Sequence, residues 1–600
     1  MNCYNGKVLR VNLSTQTITV EELNKDYVRD YLGARGLGVR MLMDEIDPQV
    51  DPLSPENKLI FAAGPLSGLK VSTGTRYNVV TKSPLNGFIA RSNSGGKWGS
   101  MLKYAGWDVL ILEGKAEKPV YIEIINDQVT IKDAAHLWGK TSQETVDILK
   151  GDDKEMSVLN IGPAGETGSL TASIMNDIDR AAGRSGVGTV MGSKNVKAIS
   201  VKTEVKALPA FDEVKFKEVA IESAKTLRAN PVAGEGLPLY GTAVLVNIIN
   251  AVGSYPTRNW QESEQNHDDA EATSGETLRE EYLTKQHYCH NCTIGCGRVV
   301  DRNGVNVGGP EYETIWCFAA NCGVNDLAAV NEANYWCNEL GLDTISTGCT
   351  IATAMELYQK GFITDADCEG EPLTWGNAKA IVTYTKRIGN GETELGKLMA
   401  QGSYRLAEHY GVPELSMTAK KLDMPAYDGR GIQGIGLNYA TSNRGGCHVN
   451  GYTISPEILG QPVQMDRKVV EGKAEIVKIF QDLTAAIDAS GMCLFTSFGL
   501  GAPEYAAILK AATGFDLDGD EVMKIGERIY NLERLFNQRA GMTAADDTLP
   551  PRLLKEAIQN EASKGMVTRL DEMLPEYYEL RGWVDAFPTA EKLAELGIDC

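Results

Sequence analysis

The sequence predicts an α+β protein in which a β-rich N-terminal third precedes two mainly helical regions. Runs that alternate apolar and polar side chains with a period of two fall almost entirely before residue 205, and helical periodicity dominates after it. A chain of 600 residues is also longer than one hydrophobic core usually organises. We therefore expect three domains, at residues 1–205, 206–415 and 416–600.

The first region is predicted to be sheet from its start. Residues 7–22 alternate around a polar turn at 14–16, which predicts a β-hairpin. Further runs rich in β-branched and aliphatic residues predict strands at 59–62, 77–81, 109–112, 120–125 and 198–201. The strand pattern fades at 202–209, where we expect the first boundary.

Two amphipathic helices are predicted in the regions that follow. The apolar face of the first carries Leu327, Val330, Asn334, Cys337 and Leu340, and that of the second carries Ile476, Ile479, Phe480, Leu483 and Ile487. Gly341 and Gly491 stand where each helix should end. A polar, proline-containing segment at 412–433 predicts the second boundary.

Composition and charge exclude several classes of protein. Eighty acidic and 59 basic side chains give a formal charge of -21, which would repel a nucleic acid backbone. No uninterrupted apolar run approaches the ~20 residues of a membrane span, so we expect no span and a cytoplasmic protein. Twelve cysteines are too few for a disulfide scaffold in a chain of this length, which favours metal binding in a reducing compartment.

Two kinds of short segment occur twice in the chain. The pairs are the hexapeptides 338–343 and 488–493, and the Gly-rich loops 93–99 and 184–192, which follow Gly-Pro pairs at 64–65 and 162–163. Glycine-rich loops let backbone N–H groups approach an anion closely, although any one of them could be an ordinary tight turn. Because both kinds are paired, we predict a pseudo-symmetric site that holds two copies of one phosphate-bearing ligand.

Three cysteines lie within eight residues of one another. Cys289, Cys292 and Cys296 supply three ligands for a four-iron cluster, and Cys493, at the end of the second hexapeptide, is the candidate for the fourth. The alternative is a zinc site completed by His287 or His290. The remaining thiols are expected to be core or incidental: Cys3, Cys317, Cys322, Cys337, Cys349, Cys368, Cys447 and Cys600.

The two hexapeptides differ at their last position, which is Asp343 in the first and Cys493 in the second. If Cys493 binds the cluster, only one of the two ligand copies is connected to iron. This asymmetry predicts an electron exit. It would serve a two-electron reaction at a central metal held by both ligands, followed by single-electron transfer.

Taken together, these motifs resemble those of the aldehyde ferredoxin oxidoreductase family, and the resemblance runs through essentially the whole chain. It rests on the four cysteines, both hexapeptides, Arg76, and the segments 93–96, 180–184, 309–314 and 444–448. The family binds a mononuclear tungsten, less often molybdenum, through the dithiolenes of two molybdopterins, with no protein side chain on the metal, beside one [4Fe-4S] cluster. The resemblance therefore implies an N-terminal β domain that forms a base for the pterins, covered by two helical domains.

The resemblance also assigns cofactor-binding residues. Arg76 should lie between pterin and cluster, and Asn93 and the Ala181 carbonyl should hold a magnesium ion that bridges the two pterin phosphates. The phosphates should be surrounded by Gly95, Arg180, Gly183 and Arg184, and the pterin rings should contact Leu342, Asp343, Arg444, Asp488 and Met492. Two positions depart from the family pattern. Asn338 replaces an Asp, although an amide can still bind a pterin edge, and Asn450 replaces a Lys.

A further departure concerns the subunit interface. Some family members bind a metal between two subunits through a Glu-x-x-His motif and a second His. Here the corresponding residues are Glu332, Tyr335 and, near the other position, Thr383. We therefore expect no bridging metal, and any homo- or hetero-oligomer would form in another way.

Aldehyde oxidation needs a proton to be moved, which is served by a group that titrates near neutrality. The resemblance assigns this role to His448, whereas a lone His in a Gly-rich turn would otherwise be read as structural. Glu313 is expected to orient or activate the oxygen nucleophile, with Glu311 as the less favoured choice. Tyr312 is expected to donate a hydrogen bond to the substrate carbonyl.

The sequence thus predicts a tungsten-dependent oxidoreductase that interconverts aldehydes and carboxylic acids. Its electrons would pass through the [4Fe-4S] cluster to ferredoxin or a ferredoxin-like subunit. One alternative is a subunit of an aromatic-ring reductase of the benzoyl-CoA type, from the same family. Another, of a different class, is a zinc-stapled binding protein without catalysis.

Overall fold

A computed structural model describes residues 3–599, so Cys600, expected to be an incidental thiol, lies outside the described residues. The N-terminal third contains two six-stranded sheets. Their strands are β1 (Lys7–Asn12), β2 (Thr17–Glu22), β3 (Leu59–Ala63), β4 (Tyr77–Lys82), β5 (Ile89–Ser94) and β6 (Val109–Glu113), then β7 (Val120–Ile125), β8 (Gln128–Asp133), β9 (Ser157–Asn160), β10 (Ile174–Asn176), β11 (Arg180–Ala182) and β12 (Val196–Lys202). All the strands predicted from the sequence are confirmed.

The two sheets have the same topology. The strand order is β2-β1-β6-β3-β4-β5 in the first and β8-β7-β12-β9-β10-β11 in the second. In each, the initial hairpin joins the last strand in parallel, and the other neighbours are antiparallel. The edge strands β5 and β11 contact each other. The β-rich region is therefore an internal duplication whose halves meet at β5 and β11.

Helices connect these strands and make up most of the remaining chain. Those of the first region are α1 (Lys25–Tyr31), α2 (Ala34–Glu45), α3 (Trp98–Tyr104), α4 (Ser142–Lys150), α5 (Pro163–Thr167) and α6 (Val187–Ser193). They are followed by α7 (Glu213–Ala229), α8 (Leu237–Tyr240), α9 (Leu245–Ala251), α10 (His267–Ala272), α11 (Gly275–Thr277), α12 (Tyr312–Phe318), α13 (Leu327–Leu340), α14 (Thr344–Gln359), α15 (Asp365–Cys368), α16 (Ala378–Asn390), α17 (Glu394–Met399), α18 (Ser403–His409), α19 (Gln433–Thr441), α20 (Ile454–Glu457), α21 (Lys473–Ser490), α22 (Ala502–Thr513), α23 (Gly519–Arg539), α24 (Pro551–Lys555), α25 (Leu570–Arg581) and α26 (Ala590–Glu595). Small sheets are formed by β13 (Leu283–His287), β14 (Gly297–Arg302) and β15 (Val305–Gly308), by β16 (Thr418–Ala419) and β17 (Leu422–Asp423), and by β18 (Trp583–Val584) and β19 (Phe587–Pro588). The predicted α+β fold is confirmed.

Helix α13 has the predicted buried face, and it ends at Gly341 with a φ of 72°. Helix α21 also ends at its predicted glycine, Gly491, with a φ of 90°. Its predicted apolar face is confirmed in part, because Phe480 and Ile487 are buried whereas Ile479 is 39% exposed. Polar side chains of this helix are buried as well, and Asp482 forms an ion pair with Arg581 of α25 at 2.5 Å.

The segment predicted as the second boundary is not an exposed linker. Residues 415–420 and 422–446 are buried, and β16 and β17 form a hairpin within this segment. Its backbone passes through the interior beside the site described below. The domain limits near 205 and 415 stay predictions.

One segment has the composition of a membrane span. The stretch Val232–Ala251 has a mean hydropathy of 1.4, and 39% of it is buried. It is composed of short helical turns, including α8 and α9, and it is interrupted at Gly241 with a φ of 65°. The expectation that the chain contains no span stays a prediction.

Candidate active site

The two Gly-Pro turns pack against the ends of the two hexapeptide helices. A Cβ at Gly64 would overlap the backbone of Ser490, and a Cβ at Gly162 would overlap that of Leu340. Beside the first turn, Leu66 N donates to Ser490 O at 3.0 Å. In the second half, Ser173 N, from the segment that follows α5, donates to Gly341 O at 2.8 Å. Glycine is needed at both turns because only a residue without Cβ permits this approach. The structure thus brings the paired motifs together in equivalent positions.

The cysteine loop folds against the first Gly-rich loop. A Cβ at Gly95 would lie 2.8 Å from Cys289 Sγ, so the glycine makes room for the thiol. Cys493 N donates to Thr73 Oγ1 at 3.0 Å, and Thr73 N donates to Asn291 O at 3.1 Å. These contacts place the end of the second hexapeptide beside the loop that carries the other three cysteines.

The cysteines of this group lie close enough to affect one another's pKa. Burial is the main cause of a raised pKa at Cys292 and Cys296, and the nearby Cys493 adds to it at both. Cys289 differs, because Arg180 and Arg76 lower its pKa despite its burial. A low pKa favours the thiolate, which is the form that binds iron.

The zinc alternative has little support in the described residues. Between residues 3 and 599, no three His, Cys, Asp or Glu side chains converge closely enough to hold a single metal ion. His287 Nε2 lies 3.7 Å from Asp179 Oδ2, and His290 Nε2 lies 3.4 Å from the Tyr104 hydroxyl. A four-iron cluster needs wider thiol spacing than zinc does, because each thiolate binds a different iron.

The other described cysteines are buried, as expected for core thiols. Cys447 differs from them in having a charged donor, because its sulfur accepts a hydrogen bond from Arg444 Nη2 at 2.9 Å. Although burial opposes ionisation, Arg444, Arg91 and Arg184 hold the pKa of Cys447 below its ordinary value. The prediction that this thiol is incidental was therefore incomplete.

A chain of polar contacts joins the cysteines to the second hexapeptide. Arg76 Nη1 donates to Asn93 Oδ1 at 2.6 Å, and Asn93 Nδ2 donates to Asp488 Oδ1 at 3.3 Å. Burial opposes the charge of Arg76, but Cys493 and Cys289 raise its pKa above the ordinary value. Arg76 thus lies between the cysteines and the Asp488 half of the site.

The other half of the site is organised by Arg184. Its Nε donates to Asp343 Oδ2 at 3.2 Å, and its two Nη atoms donate to the carbonyls of Gly446 and Asp423 at 2.7 Å. The space over Gly183 is open, since a Cβ there would meet nothing closer than 4.0 Å. Arg184 therefore joins the carboxylate of the first hexapeptide to the buried 415–446 segment.

Arg180 lies at the start of β11, the strand that also contains Ala181. Its Nη1 is 3.6 Å from Glu311 Oε1. Ala181 pairs with Met175, the second residue of β10. Asn93 pairs with Asn78, which is the second residue of the corresponding strand β4. The two residues expected to hold magnesium are therefore equivalent across the duplication.

The remaining predicted contact residues surround the same interior. Leu342 and Met492 are buried, and Asn338 is half-buried on the last turn of α13. Arg444 Nη1 donates to the Arg91 carbonyl at 2.7 Å. Asn450 is buried, and its Nδ2 donates to Ser442 Oγ.

The interior between the halves contains buried polar atoms without partners among the described residues. They are Arg91 Nε and Nη2, Asn176 Oδ1, Ser185 Oγ, Glu313 Oε1, Arg444 Nε, His448 Nδ1 and Asn450 Oδ1. Buried polar groups in proteins are almost always satisfied, so this concentration indicates a polar ligand. Donors and acceptors on both halves fit a large heterocyclic, phosphate-bearing group such as a pair of pterins.

The candidate acid–base residues lie together. His448 Nε2 is 3.6 Å from Glu313 Oε1, and Glu313 Oε2 accepts a hydrogen bond from Ala426 N at 2.9 Å. Glu313 is in the first turn of α12. Glu311 points elsewhere, because its Oε2 accepts from Thr242 Oγ1 at 2.6 Å. The structure thus favours Glu313 over Glu311 as the partner of His448.

Tyr312 does not have the geometry expected from the sequence. Its hydroxyl donates to the Ala426 carbonyl at 2.8 Å. A hydroxyl has one proton, so in this arrangement Tyr312 positions the Ala426 segment instead of donating to a substrate. Tyr312 thus binds the C=O of Ala426, and Glu313 binds its N–H.

Two further tyrosines, not predicted from the sequence, line the pocket beside His448. The ring centroids of Tyr427 and Tyr452 lie 5.8 and 6.1 Å from that of His448, and their hydroxyl oxygens are 3.0 Å apart. Tyr427 also packs against Tyr312 at 5.5 Å. They come from the buried 415–446 segment and from the turn after His448, and no sequence motif marks either.

Burial shifts the two titratable groups in opposite directions. It raises the pKa of Glu313 to about 8. It also holds the pKa of His448 well below its ordinary value, assisted by Arg184 and Arg444. The expectation that His448 titrates near neutrality is therefore corrected, because Glu313 is the group whose pKa lies in that range.

The residues at the position of the bridging metal in some family members have other contacts. Glu332 forms an ion pair with Arg302, with 2.5 Å between Oε2 and Nε, and accepts a hydrogen bond from Trp336 Nε1 at 2.7 Å. The Arg302 guanidinium lies 3.8 Å from the centre of the Tyr335 ring. Thr383 is half-buried on α16.

A duplicated β base, a group of thiols beside it and a half-buried acid–imidazole pair are together typical of a redox enzyme with a large cofactor. The model of the aldehyde ferredoxin oxidoreductase N-terminal domain matches residues 8–203, and the model of domains 2 and 3 of the same family matches residues 218–598. The chain belongs to the aldehyde ferredoxin oxidoreductase family.

Individual relatives match over nearly their whole length. The chain is 54% identical to a tungsten-containing aldehyde ferredoxin oxidoreductase of Pyrococcus furiosus, covering 99% of this chain and 98% of the relative. It is 53% identical, with the same coverage, to the enzyme of that name from Thermococcus kodakarensis. Among solved structures, the active-site complex BamBC of benzoyl coenzyme A reductase superposes with a TM-score of 0.86 at 26% identity, covering 100% of this chain and 97% of that one.

Proposed function

We propose that the chain is a tungsten-dependent oxidoreductase that interconverts aldehydes and carboxylic acids, with ferredoxin or a ferredoxin-like subunit as its electron carrier. The single observation that carries this proposal is the half-buried pair of Glu313 and His448, with 3.6 Å between Oε1 and Nε2. The pair lies in an interior lined by unpartnered polar atoms from both halves of the duplication. The names of the close relatives support the same reaction.

Two pterins would be held by equivalent parts of the duplicated base. One would lie against Asp343 and Arg184, and the other against Asp488 and Arg76, with Asn93 and the Ala181 carbonyl holding a magnesium ion between the phosphates. Carboxylates accept strong hydrogen bonds from amino-pterin N–H groups, and arginines donate to phosphate. When bound, the tungsten cofactor would accept the two electrons of the oxidation.

Proton transfer is assigned to Glu313. Oxidation of an aldehyde with water yields the acid, two electrons and two protons, so a base must accept a proton when the oxygen nucleophile forms. The pKa of Glu313 at about 8 lets it exchange a proton near neutral pH. His448 stays neutral and can offer one N–H donor and one acceptor, which suits it to orient the substrate oxygen.

Three buried tyrosines form a wall of the pocket beside this pair. Tyr427, Tyr452 and Tyr312 are at most 5% exposed. Their rings form an apolar surface beside the imidazole, against which the carbon chain or ring of an aldehyde can pack.

Electrons would leave on one side of the site only. Cys493 belongs to the second hexapeptide and is joined by Thr73 to the loop of Cys289, Cys292 and Cys296. A [4Fe-4S] cluster held there would be connected to the Asp488 half. The first hexapeptide ends in Asp343 and has no such connection.

An anaerobic assay with alternative substrates tests the proposal. Purified enzyme should reduce ferredoxin when given an aldehyde, and it should form the matching acid. It should not reduce an aromatic CoA thioester at the expense of reduced ferredoxin, which is the reaction of the alternative suggested by the BamBC likeness. Ring reduction without aldehyde oxidation would contradict the proposal.

A further inference from the structure

Arg91 is a buried arginine with two nitrogen donors that make no hydrogen bond. It lies on β5 and is 2% exposed. Neither Nε nor Nη2 has a hydrogen-bond partner among the described residues. Nε lies 2.9 Å from Glu533 Oε1, but its N–H is not aligned with that oxygen. A buried donor without an acceptor destabilises a protein, so the arrangement calls for a reason.

The carboxylates near Arg91 are already satisfied by another arginine. Arg35 Nε and Nη2 donate to the two oxygens of Glu533 at 2.7 and 2.9 Å, and Arg35 Nη1 donates to Asp488 Oδ2 at 3.2 Å. Asn443 Nδ2 adds a further hydrogen bond to Glu533 at 3.1 Å. The hydrogen bonds that these two acids accept therefore do not depend on Arg91.

Buried guanidinium donors are left unused at this place. Arg35 and Arg91 both lie beside Glu533 and Asp488. Arg444 Nη1 donates to the Arg91 carbonyl, whereas Arg444 Nε is unpartnered, as are Nε and Nη2 of Arg91. Buried guanidinium groups with unused N–H donors are typical of a site for an anionic or oxygen-rich ligand.

The position of Arg91 on its strand directs it to the cofactor side. Residues two apart on a strand share a face, so Arg91 lies on the face of Asn93, whose side chain reaches Asp488. Arg91 Nη1 is 3.8 Å from Asp488 Oδ2. On the other half of the duplication, Arg184 contacts Asp343 at 3.2 Å. Asp343 of the first hexapeptide and Asp488 of the second thus each lie near an arginine from the β base.

We propose that Arg91 is a cofactor-binding residue that donates hydrogen bonds to an oxygen acceptor of the pterin held against Asp488. This inference rests on the proposed function, because it requires a pterin cofactor. It assigns the Asp488 half a counterpart of Arg184. It also gives the free donors of Arg91 a partner.

Pterin retention in the holoenzyme tests the role of Arg91. Parental enzyme, Arg91→Met, Arg91→Lys and Arg35→Met are purified anaerobically from identical cultures, and pterin and iron per chain are measured. Pterin release is then followed in increasing urea beside the loss of helical circular dichroism. Arg35→Met is the matched control, since Arg35 is equally buried and contacts the same carboxylates without unpartnered donors.

Arg91→Met should keep parental iron content and the parental unfolding midpoint, yet release pterin on the order of tenfold faster, as expected for a lost charge-assisted hydrogen bond. Arg91→Lys should be intermediate, because it keeps the charge without the planar fork. In Arg35→Met, pterin release and unfolding should coincide at lower urea.

Parental pterin content and release rate in Arg91→Met would overturn the inference. Release that coincides with early unfolding, as in the control, would overturn it as well, since that is the behaviour of a structural residue. If Arg91→Met does not fold, Arg91→Lys decides by the same two readouts. Parental protein without any pterin would overturn the proposed function and this inference with it, whereas the other outcomes leave that function standing.

Discussion

The imidazole of His448 faces the carboxyl group of Glu313, with 3.6 Å between Nε2 and Oε1. Burial raises the pKa of Glu313 to about 8 and lowers that of His448, so both groups are neutral at pH 7. Neither Glu313 Oε1 nor His448 Nδ1 has a hydrogen-bond partner among the described residues. Both side chains therefore have a polar atom available to bind a substrate. Of the two, Glu313 is the group that changes its charge near neutral pH.

The pH dependence of turnover should report Glu313. As a base in aldehyde oxidation, Glu313 must be ionised, so kcat should rise with pH through a midpoint near 8. Carboxylic acid reduction needs the protonated form, and its rate should fall through the same range. Steady-state assays in both directions from pH 6 to 9.5 measure this. A profile of Glu313→Gln with the parental midpoint would contradict the assignment.

Substitution of His448 should impair chemistry without loss of cofactors. His448→Asn should retain parental metal, pterin and iron, but its turnover with aldehyde should fall on the order of 10²-fold, as for loss of an orienting hydrogen bond. Reduction of the cluster by dithionite should be unchanged, because that path does not involve the imidazole. Near-parental turnover would make His448 a structural turn residue.

Removal of Cys493 should damage the cluster selectively. Cys493→Ala leaves three thiolates, so one iron lacks its ligand, and iron per chain should fall below that of the parental enzyme. Cys368→Ala is the control, because Cys368 is buried at 1% exposure in a helix away from the loop. Its iron content should be parental. An intact four-iron spectrum in Cys493→Ala would refute the fourth ligand.

Substitution of the glycine in either Gly-Pro turn should destabilise the protein to a similar extent. Gly64→Ala and Gly162→Ala would each force a methyl group into a helix end, at a cost of about 1–3 kcal/mol. Both variants should unfold earlier in urea and hold less pterin. Gly236→Ala should resemble the parental protein, since its Cβ would meet nothing closer than 3.6 Å. Tolerance of both turn variants would contradict the close packing.

Local patterns predicted the parts of the fold that depend on local physics. The hairpin of β1 and β2 follows from alternation, and the helix ends at Gly341 and Gly491 follow from the need for a positive φ. Strand β5 was missed because its sequence, IARSNS, is polar although the strand is mostly buried. Arg91 and Asn93 share the face of β5 that reaches Asp488, so hydrophobic patterning could not reveal this strand.

Long-range contacts explain the other differences. Arg581 pairs with Asp482 from almost one hundred residues away, and this contact accompanies the burial of a polar side chain on α21 that local periodicity does not predict. Tyr427 and Tyr452 reach His448 only through the folded chain. The pKa of His448 likewise depends on burial and on Arg184, neither of which is visible in its neighbouring sequence. The cysteines and hexapeptides were predictable because their spacing is itself the signal.

Cofactor stoichiometry tests the central claim most directly. Anaerobically purified enzyme is analysed for tungsten, molybdenum, iron and zinc, and its pterin is released, oxidised and quantified by fluorescence. The duplicated base and the four cysteines predict two pterins, one tungsten or molybdenum and about four irons per chain. One pterin per metal, or zinc in place of iron, would contradict the account.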